Sequence, residues 1–185
     1  MIELRRLAWT LGLLLPLPAL AAETLLVEVP ARLDKSAPIT EAARMECQIP
    51  ALVGNHVLGD LQARMGMGVS ALQGAEPASG KVLRLTVLSA RGVGGGSWSG
   101  PKFLTVRADL VEGGKVLGGF TAHRGSRGGM WGGMTGTCPI FERIAVALGK
   151  DIGSWAATAV WHGTFTPPSM VEQAEEAAPI VEPAK

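Results

Sequence analysis

The spacing of apolar positions changes period several times along the chain, and each change marks an element. Thr24–Val29 is a short apolar and β-branched run closed by Pro30, which predicts a strand, and the polar stretch Arg32–Thr40 reads as loop. From Ile49 the positions Leu52, Val53, Val57, Leu61 and Met65 recur at helical spacing. Pro50 suits the first turn of that helix, where its missing N–H costs nothing, and Gly66 and Gly68 end it. Ala71–Gly80 gathers Gln, Gly, Pro and Ser and predicts a surface connection. Val82–Ala90 and Phe103–Val111 then alternate. The second sets Leu104, Val106, Ala108 and Leu110 on one face and Thr105, Arg107 and Asp109 on the other, one dry and one wet.

Glu112-Gly113-Gly114-Lys115 is the sharpest local signal. Paired glycines accept the positive φ values of a two-residue hairpin turn, and Glu112 and Lys115 face each other across it. A further strand, Lys115–His123, follows, with Val111 expected opposite Val116 and Leu110 opposite Leu117. After a glycine-rich stretch, Ile140, Phe141, Ile144, Ala145, Leu148, Ile152, Trp155, Ala156 and Ala159 trace a helical stripe, predicting a second helix from Cys138 to Val160. Gly149 and Gly153 inside it cost up to about 1 kcal/mol each relative to alanine, which points to close helix-to-sheet packing or to a break. The order β-α-β-β-β-α predicts an α+β two-layer sandwich: a mainly antiparallel sheet of three to four strands with two helices on one face.

The N-terminus adds a location. Arg5 and Arg6 precede an apolar run from Leu7 to Leu20 with Pro16, Pro18 and a small-residue site at Ala19-Leu20-Ala21. That is the pattern of a cleavable signal peptide over residues 1–21, too short for a bilayer span of about 20 apolar residues. With no cysteine near the cleavage site to take a lipid, the expected mature chain is soluble and periplasmic. It comprises one domain over residues 22–165 and a disordered acidic Pro/Ala/Glu tail over residues 166–185. The body holds 14 basic and 11 acidic residues, net +3, and the tail is net −3. So weak a positive balance, without a Lys/Arg run or a basic stripe studded with aromatics, argues against nucleic acid as partner. An unidentified envelope protein is the expected partner.

Cys47 and Cys138 are the only two cysteines. In an oxidising compartment they read as a disulfide tying the two helix N-termini together across a loop of about 90 residues, worth roughly 4 kcal/mol in the chain-entropy model. The sharper alternative is a low-pKa thiol on Cys138 at a helix N-terminus. The glycine-rich stretches Gly92–Gly100 and Gly125–Gly136 lack the neighbours of a phosphate cradle. No helix follows the first, and the second lacks a Gly-Lys-Ser/Thr ending. They do carry Trp98, Met130, Trp131 and Met134, residue types that interaction surfaces use, and Arg124 and Arg127, which flank the second loop and suit an anion. Folding of the same side chains back over the sheet is the competing expectation. His56, His123 and His162 lie in different elements without Glu or Cys at metal-ligand spacing, so no metal site and no cofactor is read. Ser126 near His123 lacks a nucleophile elbow, and Glu142 and Asp151 point in different directions on a regular helix. No catalytic residue is assigned.

From Leu83 to Trp155, the Leu-Arg-Leu-Thr-Val strand, the Leu-Thr-Val-Arg-Ala-Asp-Leu strand, the Gly-Gly-Lys turn, the Gly-Thr-Cys helix start and the Leu-Gly-Lys-Asp-Ile-Gly-Ser-Trp segment follow one another. This stretch, about two fifths of the chain, resembles an uncharacterised family of small exported proteobacterial envelope proteins. The element order is also similar to lipoprotein-like α/β domains of envelope assembly factors, including curli-secretion and penicillin-binding-protein activator lipoproteins. The resemblance supplies no catalytic residue. The signal-like N-terminus, the cysteine pair and the loop residues together predict a non-catalytic soluble periplasmic binding or accessory protein of the cell envelope, contacting its partner through the Gly/Trp/Met-rich loops. Two alternatives stand beside it: a thiol-dependent enzyme or redox sensor using Cys138, and a small-molecule or glycan binder using Trp98 and Trp131.

Overall fold

Alternation and helical periodicity each produce the element they predict. The computed structural model describes residues 24–39, 43–44, 46–74, 77, 80–92, 101–126 and 136–163. The expected signal peptide and tail lie outside these residues, as do Trp98, Arg127, Met130, Trp131 and Met134. In chain order the elements are β1 (Leu25–Val27), β2 (Arg32–Leu33), α1 (Ile49–Met65), a 3-10 turn (Gly66–Gly68), β3 (Val69–Ala71), β4 (Lys81–Gly92), β5 (Lys102–Glu112), β6 (Lys115–Ser126) and α2 (Thr137–His162). The fold is α+β, with both helices packed on one sheet.

The sheet has six strands in the order β3-β1-β4-β5-β6, with β2 also pairing with β4. This corrects the expected three to four. The long strands β4, β5 and β6 form the antiparallel meander, whereas β1 is parallel to both β3 and β4, and β2 is parallel to β4. Arg32–Thr40 is therefore not simply loop. Arg32 and Leu33 pair with Thr86 and Val87, and Ile39 bridges to Ala90, so this segment rides along the edge of β4 in two short stretches. The first residue of the expected Ala71–Gly80 connection likewise belongs to β3.

The hairpin turn is built as its glycines predict, Gly113 and Gly114 both having positive φ. Its register holds for Glu112 opposite Lys115 and Val111 opposite Val116, but Leu110 faces Gly118 rather than Leu117. A bulge between Leu110 and Val111 absorbs the extra residue, which a bulge does by setting two residues of one strand against one of the other.

Leu83, Leu85 and Val87 on β4, Leu104, Val106, Ala108 and Leu110 on β5, and Phe120 and Ala122 on β6 form the inner face. They close one core with Val53, Val57 and Leu61 of α1 and Phe141, Leu148, Ile152 and Trp155 of α2. The Trp155 ring stacks on Phe120 with centroids 5.6 Å apart.

The two helices run in the same direction. Cys47 is bonded to Cys138, His56 Nε2 lies 2.5 Å from Glu142 Oε1, and Gly149 and Gly153 sit against His56 and Asp60. A Cβ on Gly149 would stand 2.8 Å from the His56 carbonyl oxygen. The glycines of α2 thus serve helix-to-helix rather than helix-to-sheet packing, and the helix continues through both.

Candidate functional site at the loop-bearing end of the sheet

β5 fixes where the two glycine-rich segments leave the fold. Its first residue, Lys102, pairs with Gly92 at the end of β4 on one side and with Ser126 at the end of β6 on the other. Both segments therefore depart from one end of the sheet. Because β4 and β6 run one way and the helices run back, the N-termini of α1 and α2 belong to that same end. The Cys47–Cys138 disulfide joins the chain just before α1 to the first turn of α2, with Cα atoms 5.0 Å apart and 91 positions between them in sequence.

Neither helix start carries an acidic residue in its first turn or a side-chain cap. Gln48 precedes α1 with a φ of 45° and accepts the Ala51 and Leu52 N–H groups on its backbone carbonyl. The disulfide sets the positive ends of two helix dipoles together.

Lys102 is 1% exposed and lies on the inner face. Its stem crosses Gly92, where a Cβ would stand 2.9 Å from Cε, so glycine at that strand end makes room for the lysine. On the outer face the Phe103 ring covers the bare backbone of Gly125 and stacks on the His123 imidazole, with centroids 5.8 Å apart and planes 11° from parallel. Beside this pair, Ser89 Oγ donates to Thr105 Oγ1 at 3.0 Å, and Thr105 Oγ1 is 2.9 Å from His123 Nδ1. The result is a continuous polar chain across three strands.

Arg124 turns to the helix side and donates to both oxygens of Asp151, at 2.6 and 2.8 Å. Those hydrogen bonds hold the guanidinium above its usual range. Of the pair expected to flank the second loop, Arg124 is thus engaged by α2, and Arg127 lies outside the described residues with Trp98, Met130, Trp131 and Met134.

The remaining candidates are kept apart by the fold. Ser126 and His123, three residues apart on β6, fall on opposite faces of the strand. Glu142 reaches α1 through His56, while Asp151 reaches β6 through Arg124. Cys138 is bonded to Cys47, so the thiolate of the redox alternative exists only after reduction. Among the described residues no three His, Cys, Asp or Glu side chains gather as a metal site, and no helix is long and apolar enough to cross a membrane.

Sequence reasoning missed Lys102, the Phe103–His123 stack and the Ser89–Thr105–His123 chain. Each is a cross-strand contact set by register, which no local pattern reports. The one available hint was glycine at strand positions, a mark of close approach by a neighbour.

The chain matches no protein-family model and no curated protein. Among solved structures it is similar to a protein of family DUF330 from Xanthomonas campestris. The two are 11% identical with a TM-score of 0.54, over 82% of this chain and 94% of that one. What is shared is the fold. Weaker likenesses are to PelC of Paraburkholderia phytofirmans, solved as a dodecamer (17% identical, 73% of this chain and 89% of that one, TM-score 0.47), and to a minor lipoprotein of Acinetobacter baumannii (14% identical, 75% and 96%, TM-score 0.43). Neither of these two bears on the argument.

Proposed function

We propose that this chain is an exported, non-catalytic binding protein of the cell envelope, and that its contact surface is the end of the sheet from which residues 93–100 and 127–135 depart. The observation that carries this reading is the row Gly92–Lys102–Ser126. A single strand residue brings the roots of both Trp- and Met-bearing segments together. Trp and Met in segments rooted at one end of a sheet are residue types that a partner-binding surface uses. The disulfide and the signal-like N-terminus support an oxidising compartment.

The test is site-directed photocrosslinking in the native host. A photoreactive amino acid is placed at Trp98 or Trp131, and at the fully exposed Met67 beyond the opposite ends of α1 and α2 as control. A discrete crosslinked envelope product from positions 98 and 131, absent from position 67, is the expected result. Equal labelling at all three positions, or labelling at position 67 alone, overturns the proposal. Thiol alkylation in the periplasmic fraction, before and after reduction, checks the compartment independently, with two alkyl groups expected only after reduction.

A further inference from the structure

The charge of the folded body is unevenly spread. α1 holds one acid and one base, Asp60 and Arg64, and α2 holds two of each, so the helices are neutral. The surplus lies on the outer face of the sheet. Thr86 points outward between Leu85 and Val87 of the core, and register sets Arg32 and Arg107 on either side of it. Alternation adds Arg84 and, beyond the β4 bulge, Arg91, which pairs with Phe103. Two carboxylates stand with these four arginines: Asp109 accepts from Arg107, and Glu28 accepts from Arg32. Four minus two leaves this face at +2, and among the described residues no helix covers it.

We propose that the acidic segment beyond α2 lies across this face of its own chain. Residues 166–185 carry Glu172, Glu175, Glu176 and Glu182 against Lys185, net −3, opposite in sign to the face. The segment also starts in the right place. Asp151 meets Arg124 and Trp155 meets Phe120, so α2 runs along β6 toward the Gly113-Gly114 hairpin, and Gly163 ends it there. From Gly163 to Glu172 the chain reaches up to about 30 Å, enough to pass around β6 to the outer face, and from Glu172 to Glu182 up to about 33 Å. Arg84 and Arg91 are about 23 Å apart along β4, so the four acids can stand over the arginines in one extended pass. Exposed ion pairs are individually weak, and the contact is accordingly salt-sensitive and without fixed packing. An unattached anionic partner offers the same chemistry, but tethering gives the segment an effective concentration in the millimolar range. The proposal stands apart from what the loop-bearing end binds.

A nitroxide attached through Ala177→Cys in the mature chain tests the proposal, since Cys47 and Cys138 are bonded to each other and leave the new thiol alone to take the label. In amide correlation spectra at low salt, Arg84, Thr86 and Arg107 should lose at least about half their intensity, while Val53 and Val57 in α1 keep theirs. Salt at about 0.5 M should restore the sheet signals. So should Glu172→Gln, Glu175→Gln and Glu176→Gln introduced together, all of them beyond α2 and its core. Undiminished sheet signals overturn the proposal, as does a greater loss in α1 than in the sheet. A loss at the sheet that survives both the salt and the three substitutions overturns it as well.

Discussion

Three helical glycines show how the cost of one methyl group depends on what it meets. In a helix interior glycine costs about 1 kcal/mol relative to alanine, so each replacement begins with that gain. A Cβ on Gly59 meets nothing within 4 Å, and Gly59→Ala should stabilise the protein by about 0.5–1 kcal/mol. At Gly149 the methyl would meet the His56 carbonyl oxygen at 2.8 Å and its carbon at 2.9 Å, and backbone cannot step aside. The helices must separate, and Gly149→Ala should destabilise by about 1–3 kcal/mol. At Gly153 the obstacle is the Asp60 carboxylate, its Cγ 3.0 Å away, and a side-chain end can rotate. That rotation loses the exposed Asp60–Arg64 pair, worth little, so Gly153→Ala should fall within about 0.5 kcal/mol of the parent. Urea unfolding of the three variants checks the order. Equal stability for the alanines at 59 and 149 would mean that α1 and α2 are not packed this closely. In the sequence all three glycines read alike, since what separates them is a neighbour some 90 positions away.

At the scale of elements, the parts that declared themselves are those with many repeats of their own period. α1 and α2 lie within two residues of their expected ends because stripes of five and nine apolar positions define them, and the hairpin is carried by two glycines with positive φ. β2 and β3, with two and three residues, are too short to show any period and exist because β4 and β1 offer edges to pair with. The shifted Leu110–Gly118 pairing is equally invisible, since one bulge residue alters register without altering composition. The disulfide was readable because an expected export to an oxidising compartment left two cysteines one partner each. It spans 91 positions and joins the starts of two helices that no short connection otherwise holds together. Its chain-entropy contribution is roughly 4 kcal/mol, a large part of the 5–15 kcal/mol stability of an ordinary domain. Cys47→Ser, Cys138→Ser and the double variant should each lower the melting temperature by roughly 10 °C or more, and by similar amounts, as followed by circular dichroism. A loss confined to one single variant would point instead to a packing role for that sulfur.

The whole molecule is one sheet with opposite faces put to different uses, and this decides how it unfolds. The apolar inner-face side chains of β4, β5 and β6 and those of both helices form one contiguous core, so neither layer keeps a buried surface once the other departs. Leu85 on β4 and Leu148 on α2 are both 0% exposed and belong to that core from opposite layers. Leu85→Ala and Leu148→Ala should each cost about 2–5 kcal/mol. The sharper expectation concerns shape rather than size. Trp155 sits in α2 stacked on Phe120 of β6, so with Trp98, Trp131 and Trp161 replaced by phenylalanine in parent and variants its fluorescence reports the seam between layers, while far-ultraviolet circular dichroism reports both layers at once. In the parent and in both variants the two signals should trace one transition with the same midpoint, whichever layer carries the substitution. If Leu148→Ala instead moved the fluorescence midpoint ahead of the circular dichroism, the helices would be a separately melting cover. The strand ends at Gly92, Lys102 and Ser126 would then no longer stand on a rigid base, and the binding proposal, which needs the two segments held in fixed relation, would lose its physical support.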